Sequence, residues 1–258
     1  MTRPAVSPRL IALTLAGGSF LATAAPAALA EEAANQAAAQ PAAQPQGFAR
    51  LNIAPLRFEL DASKPTATLM LTNTSERPVP VQTRLFAWRQ EAGEDRFEPS
   101  GELTISPSII AIPPGATQIV RLLRTSPASP GEKRFRLAVD QLPDPSMAQS
   151  GQAEARLRFT VPVFFDRDKA ALARLEWRVA ADRIEAVNTG GATARIISLE
   201  AKTAGGQAVE VQRNSLRYVQ GGATIAWPIA NGCALGTVTV TAQVDGQTTN
   251  VQATPACG

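Results

Sequence analysis

The side chains that could carry chemistry in this chain are few in kind, because its 258 residues include no histidine. That one absence removes Ser-His-Asp and Cys-His nucleophile systems and HExxH zinc sites together. There is also no Cys-x-x-Cys pair, no phosphate-binding glycine loop opening a helix and no EF-hand spacing. Any catalysis would fall to paired carboxylates, so the only enzyme class left is a carboxylate-based hydrolase. The two cysteines, Cys233 and Cys257, both lie near the C-terminal end. In an exported protein an even count points to one disulfide. The alternative is two free thiols, which oxidising conditions disfavour.

Arginine dominates the basic residues, with only Lys64, Lys133, Lys169 and Lys202 as lysines. Its planar fork suits carboxylate recognition better than an ammonium does, although codon bias would enrich it equally. One segment has a second kind of chemistry, that of strand addition. In Glu154 to Phe164 the residues Ala155, Leu157, Phe159, Val161 and Val163 share one face, and Arg156, Arg158 and Thr160 share the other. That is period-two alternation over a long run. The period is the same for a strand that buries this face in its own core and for one that offers it to a partner.

The elements that must position these residues are short strands between turns. From Leu51 onward apolar alternation marks Thr66 to Leu71, Val81 to Phe86, Gln118 to Leu122 and Arg134 to Val139. Turn clusters separate them at Asn73 to Pro78, Pro113 to Gly115 and Ser126 to Gly131. A second strand-rich unit begins near Leu175, with Arg183 to Val187, Arg195 to Leu199 and Thr237 to Thr241. Its turns are Asn188 to Gly191, Gly205-Gly206, Gly221-Gly222 and the hairpin pair Asp245-Gly246, whose glycine accepts positive φ. No long helical period occurs, so the pattern predicts all-β sandwiches. Asp166 to Arg174, rich in charge and alanine, is the one segment with the composition of a helical turn, and the domain joint is placed there.

The N-terminal part reads as address rather than fold. Arg3 and Arg9, the apolar run Leu10 to Leu21 and the Ala28-Leu29-Ala30 site form a signal peptide over 1–30. Gly17 and Gly18 break the apolar run, which is short for a membrane span. Residues 31–46, almost entirely Ala, Gln, Glu and Pro, read as a disordered leader. The remainder, 47–258, holds two domains of about 100 residues, split as 47–167 and 168–258. With the signal's arginines gone the chain is close to neutral, so its high pI is no nucleic-acid signature. No later run approaches membrane length, so membrane insertion is not expected.

Several segments, in order, resemble the periplasmic pilus-assembly chaperones of the chaperone–usher pathway. Ile53-Ala54-Pro55-Leu56-Arg57-Phe58 resembles the family's first strand with its arginine, and Ser63 to Asn73 the next strand, closing on an asparagine. Phe86-Ala87-Trp88 resembles the strand that carries an aromatic. Ser106-Pro107 through Pro113-Pro114-Gly115 to Arg121-Leu122 is the most distinctive stretch, and Phe135 to Pro143 resembles the strand that ends in Glu-Ile-Pro. The likeness spans Leu51 to about Arg167 and continues loosely through the Asn188 turn and Tyr218 to Gly222.

The resemblance implies two immunoglobulin-like β-sandwich domains at an angle and a periplasmic location. It implies no cofactor, no metal and no enzyme activity. Pilus subunits lack one strand of their sandwich; the chaperone donates its strand G, then passes the subunit to an outer-membrane usher. Carried onto this chain, the donor residues are Ala155, Leu157, Phe159, Val161 and Val163. Arg57 becomes the anchor for the subunit's C-terminal carboxylate. Family members commonly pair that arginine with a lysine on strand G, where this chain has Pro162. A similar proline marks the divergent branch associated with spore-coat-U-type pili. The second charge is left to Arg158 or Arg89. Other readings are a different periplasmic or surface immunoglobulin-like binding module, a pilus subunit, and a carboxylate hydrolase. A subunit would carry an alternating N-terminal extension, which Glu31 to Gln46 lacks.

Overall fold

The computed structural model describes residues 51–143, 156–212 and 215–257. The expected signal peptide, leader and donor residue Ala155 lie outside them. Strands run in order β1 (Leu51–Ala54), β2 (Phe58–Leu60), β3 (Thr66–Asn73), β4 (Val79–Glu91), β5 (Glu94–Pro99), β6 (Leu103–Ser106), β7 (Ile109–Ile112), β8 (Thr117–Arg124), β9 (Lys133–Gln141) and β10 (Arg158–Phe165). Then follow β11 (Leu175–Val179), β12 (Arg183–Asn188), β13 (Ala194–Thr203), β14 (Ala208–Val209), β15 (Arg217–Val219), β16 (Thr224–Pro228), β17 (Val238–Val244) and β18 (Gln247–Pro255). Between β10 and β11 the chain makes a single 3-10 turn, Arg167–Lys169, inside the segment expected to turn. Among the described residues no helix is long and apolar enough to cross a membrane.

The first sandwich stacks a sheet ordered β1-β3-β8-β6 on one ordered β2-β10-β9-β4-β5, with β7 also pairing β4. Alternation drives it. In β3, Leu69 and Leu71 point inward while Thr68 and Met70 face out. In β8, Val120 and Leu122 do the same between Ile119 and Arg121. These side chains form one core with Phe135, Leu137, Val139, Val161, Val163 and Phe165. The first strand serves both sheets: β1 pairs β3, and after Pro55 to Arg57 the chain continues as β2 beside β10. That switch places Arg57 at the seam.

The second sandwich packs Trp177, Ile184, Ile196, Trp227 and Val240 into its own core. Its last strand links the two sheets, pairing β17 along its length and β11 at Arg178 and Val179. The β17–β18 hairpin turns at Asp245 and Gly246, both at positive φ. Cys233 and Cys257 are joined in a disulfide.

The two sandwiches repeat one device. Asn73 ends β3 fully buried, its amide donating to the Arg77, Ile112 and Pro113 carbonyls and its oxygen accepting from Ser75. Asn188 ends β12 equally buried, donating to Ala192 and Val219 and accepting from Arg174 and Gly190. In each case a short side chain satisfies turn groups that burial would otherwise leave unpaired.

Candidate functional site

Among the described residues, the segment with long alternation becomes β10 from Arg158 and runs one residue further than expected, to Phe165. It pairs β9 antiparallel over all eight residues, from Arg158↔Asp140 to Phe165↔Lys133. On its other side β2 joins only at Val163, Phe164 and Phe165. Among the described residues, nothing pairs the outer edge of Arg158 to Val161.

The direction of the hydrogen bonds defines that edge. The Gln141 N–H donates to the Leu157 carbonyl at 2.9 Å. In an antiparallel ladder alternate residues face the same neighbour. Leu157, Phe159 and Val161 therefore spend their backbone groups on β9. Arg158 and Thr160 turn theirs to the open edge, while the Pro162 carbonyl faces the start of β2, where Val163 pairs Phe58. Pro162 has no N–H, so it costs the β9 ladder nothing and removes one donor from the edge. An unpaired strand edge is a template for another strand.

The apolar face runs from solvent into the core. Leu157 is 40% exposed. Phe159 is partly buried against the core, and Val161 and Val163 are fully inside it. The other face follows alternation only as far as Thr160, because Pro162 and Phe164 are also buried. Phe164 packs with Trp88 and with Tyr218 of the second sandwich, and Trp88 meets Tyr218 edge-on with centroids 5.3 Å apart.

Arginines surround this aromatic group. The Arg57 guanidinium lies 4.7 Å from the Phe164 ring centroid and that of Arg167 5.6 Å from it. Arg136 stands opposite Pro162 in the β9 ladder and stacks 3.8 Å from the Trp88 centroid and 4.9 Å from Tyr218. Burial lowers the pKa of Arg136. Arg57 is engaged from two sides: its Nη2 bonds Glu59 Oε1 at 2.5 Å, and its Nη1 lies 3.8 Å from Asp245 on the β17–β18 hairpin. Glu59 Oε1 is also 3.7 Å from Arg167 Nε.

A buried carboxylate holds the sandwiches together beside this group. Glu132 accepts from Arg134 Nε at 2.7 Å, Arg167 Nη1 at 2.6 Å and the Thr193 N–H at 2.9 Å. Arg134 also donates to the Gly191 carbonyl at 2.6 Å. The neighbouring Gly190 must be glycine, since a Cβ there would lie 2.0 Å from the Leu172 carbonyl oxygen.

The two arginines considered as partners for Arg57 are engaged elsewhere. Arg158 Nε bonds Asp140, which Arg84 also holds at 2.7 Å, and Arg89 lies 3.8 Å from Glu98. Arg136, Arg167 and Glu59 were not singled out by sequence. Glu59 was within reach, being two residues from Arg57 on a strand. Arg136 was not, since its place opposite Pro162 needs the β9–β10 register. Among the described residues no cluster of acidic or cysteine side chains could hold a metal.

Residues 50–169 match the family model described as pili and flagellar-assembly chaperone, PapD N-terminal domain. The fold is similar to a chain of the CsuC–CsuE chaperone–tip adhesion subunit pre-assembly complex of the archaic chaperone-usher Csu pili of Acinetobacter baumannii. The TM-score is 0.63 at 20% identity, covering 80% of this chain and 99% of that one. It is also similar to the E. coli chaperone DraB, with a TM-score of 0.58 at 19% identity over 80% and 97% of the two chains. A chain of the Salmonella enterica SafA pilin–SafB chaperone complex gives 0.58 at 16% identity over 82% and 98%. No curated protein matches the sequence.

Proposed function

The first sandwich belongs to the PapD N-terminal domains of pilus-assembly chaperones, and on that premise we propose that this protein captures pilus subunits in the periplasm by donating β10. The observation that carries the reading is the one-sided pairing of Arg158 to Val161, with Leu157 exposed beside it. A subunit lacking a strand would add its own strand along that edge, taking backbone bonds from Arg158 and Thr160. Leu157 and Phe159 would enter the subunit's open core, with Ala155 ahead of them. Val161 and Val163, already buried, hold the base of the strand rigid. Arg57, at the seam and half-stacked on Phe164, would grip the subunit's C-terminal carboxylate. Delivery to an outer-membrane usher completes the role. It needs no cofactor, metal or catalytic group.

Co-expression with the subunit encoded by a neighbouring gene tests this directly. The wild-type chain should give a stable one-to-one complex. Arg57→Ala should fold normally yet lose the complex, since removing one partner of such a charge pair costs about 2–5 kcal/mol. Normal co-purification of subunit with a folded Arg57→Ala protein would remove Arg57 from the site.

A further inference from the structure

Arg57 already holds a carboxylate. We infer that Glu59 is an internal stand-in for the ligand's carboxylate, so that subunit capture proceeds by exchange at Arg57 rather than by filling an empty site. The inference rests on the reading of Arg57 as the anchor.

The geometry has three parts. First, Arg57 and Glu59 are two residues apart where the chain runs into β2, so period two puts them on one face. β2 pairs Glu59 with Phe164, the ring on which Arg57 stacks. The pair therefore lies on the aromatic seam and not on a remote surface. Second, the two partners are unequally fixed. The Arg57 side chain is 24% exposed and backed by the ring, while that of Glu59 is 52% exposed. Glu59 is thus the member free to move. Third, an alternative partner waits. Arg167 Nε is 3.7 Å from Glu59 Oε1, and Arg167 is held in place by Glu132 and the Thr193 carbonyl. A carboxylate arriving at Arg57 can displace Glu59 toward Arg167 without leaving it unpaired.

This arrangement has two consequences. Without ligand, Arg57 is neutralised and pre-aimed over Phe164, so it neither attracts stray anions nor collapses elsewhere. With ligand, part of the new charge-assisted bond is offset by the lost one. The exchange keeps capture reversible, which suits a protein that must release what it binds.

The test is a competition. Equal amounts of wild-type and Glu59→Gln chains, distinguished by tag, compete for a limiting amount of the neighbouring-gene subunit. An exposed ion pair of this kind corresponds to a few-fold in affinity, so Glu59→Gln should take roughly three to five times more subunit. Glu98→Gln, which removes an exposed acid paired with Arg89 on the same sheet, controls for net charge and should partition equally with wild type. Equal partition for Glu59→Gln would show that Glu59 does not compete at Arg57, and an advantage for wild type that Glu59 positions Arg57; either overturns the inference. The same follows if Glu98→Gln gains as much as Glu59→Gln. Absence of subunit from every form would overturn the chaperone reading itself, an outcome distinct from equal sharing.

Discussion

The two sandwiches end in strands that differ in one respect. β18 is paired with β17 from Gln247 to Ala253 and with β11 at Thr254 and Pro255. β10 is paired throughout on one side and only at its last three residues on the other. Each strand is locked where it ends. After β10, Asp166 forms a buried, two-bond ion pair with Arg124, 2.9 and 2.8 Å long, and accepts from the Ser129 N–H. After β18, Cys257 is bonded to Cys233. The lesson is that a strand can be rigid at its root and open along its edge. An open edge on a loosely held strand would refold onto its own sheet; a rooted one can wait for a partner.

The sharpest way to break this contrast is to charge the root and the tip of β10 separately. Val163→Asp should unfold the first sandwich, because a buried, unpaired carboxylate costs several kcal/mol. Leu157→Asp should move the melting temperature by less than about 4 °C, as exposed substitutions do. It should nevertheless weaken subunit binding roughly ten- to hundred-fold, the transfer value of one leucine side chain. Adding Phe159→Asp should abolish binding, with some loss of stability because Phe159 touches the core. Thermal melts and subunit capture on one preparation decide it. A fall in melting temperature for Leu157→Asp as large as that for Val163→Asp would mean that the strand has no separate tip.

The ion-pair lock comes next in size. Arg124 is 3% exposed and Asp166 fully buried, so Asp166→Asn should cost about 3–5 kcal/mol. Asparagine tolerates the positive φ found at this position, so the loss reports charge rather than backbone. The hydrogen bonds from Arg124 hold the Asp166 carboxyl below its ordinary pKa. A depressed folded value means that the pair stabilises the protein fully above about pH 4 and is lost as pH falls through the lower, folded value. Denaturant melts from pH 6 to pH 2 should therefore fall more steeply for wild type than for Asp166→Asn. Parallel curves would show that the pair does not titrate with folding.

The disulfide is the smallest lock. Cys233 and Cys257 are separated by 24 positions, and closing such a loop is worth about 3 kcal/mol in chain-entropy terms. Reduction should destabilise the second sandwich by that amount while leaving subunit capture on β10 unchanged below its melting point. Intact-mass measurement with alkylation verifies the reduced state. Loss of capture at a temperature where both sandwiches stay folded would mean that the second sandwich acts directly on the open edge.

Much of this was written in the residues themselves. Alternation fixed strands such as Thr66 to Leu71 and Arg195 to Leu199, because a half-buried strand repeats every two residues whatever lies beyond it. Asp245-Gly246 marked its hairpin through backbone preference, which is local. The cysteine count anticipated the bond, and the order of segments from Ile53 to Pro143 anticipated the family. Tertiary structure alone decided what covers each face and which edge is paired. Period two puts Leu157 and Val163 on one face, yet the first is exposed and the second buried. It puts Arg158 and Phe164 on the other, yet only Phe164 lies beneath Tyr218 of the second sandwich. The pairing of Arg57 with Glu59 was open to a period-two argument, but its place over Phe164 depends on the parallel register of β2 with β10. Such registers join residues about a hundred positions apart. They are set by how whole sheets pack, and no local pattern carries that information.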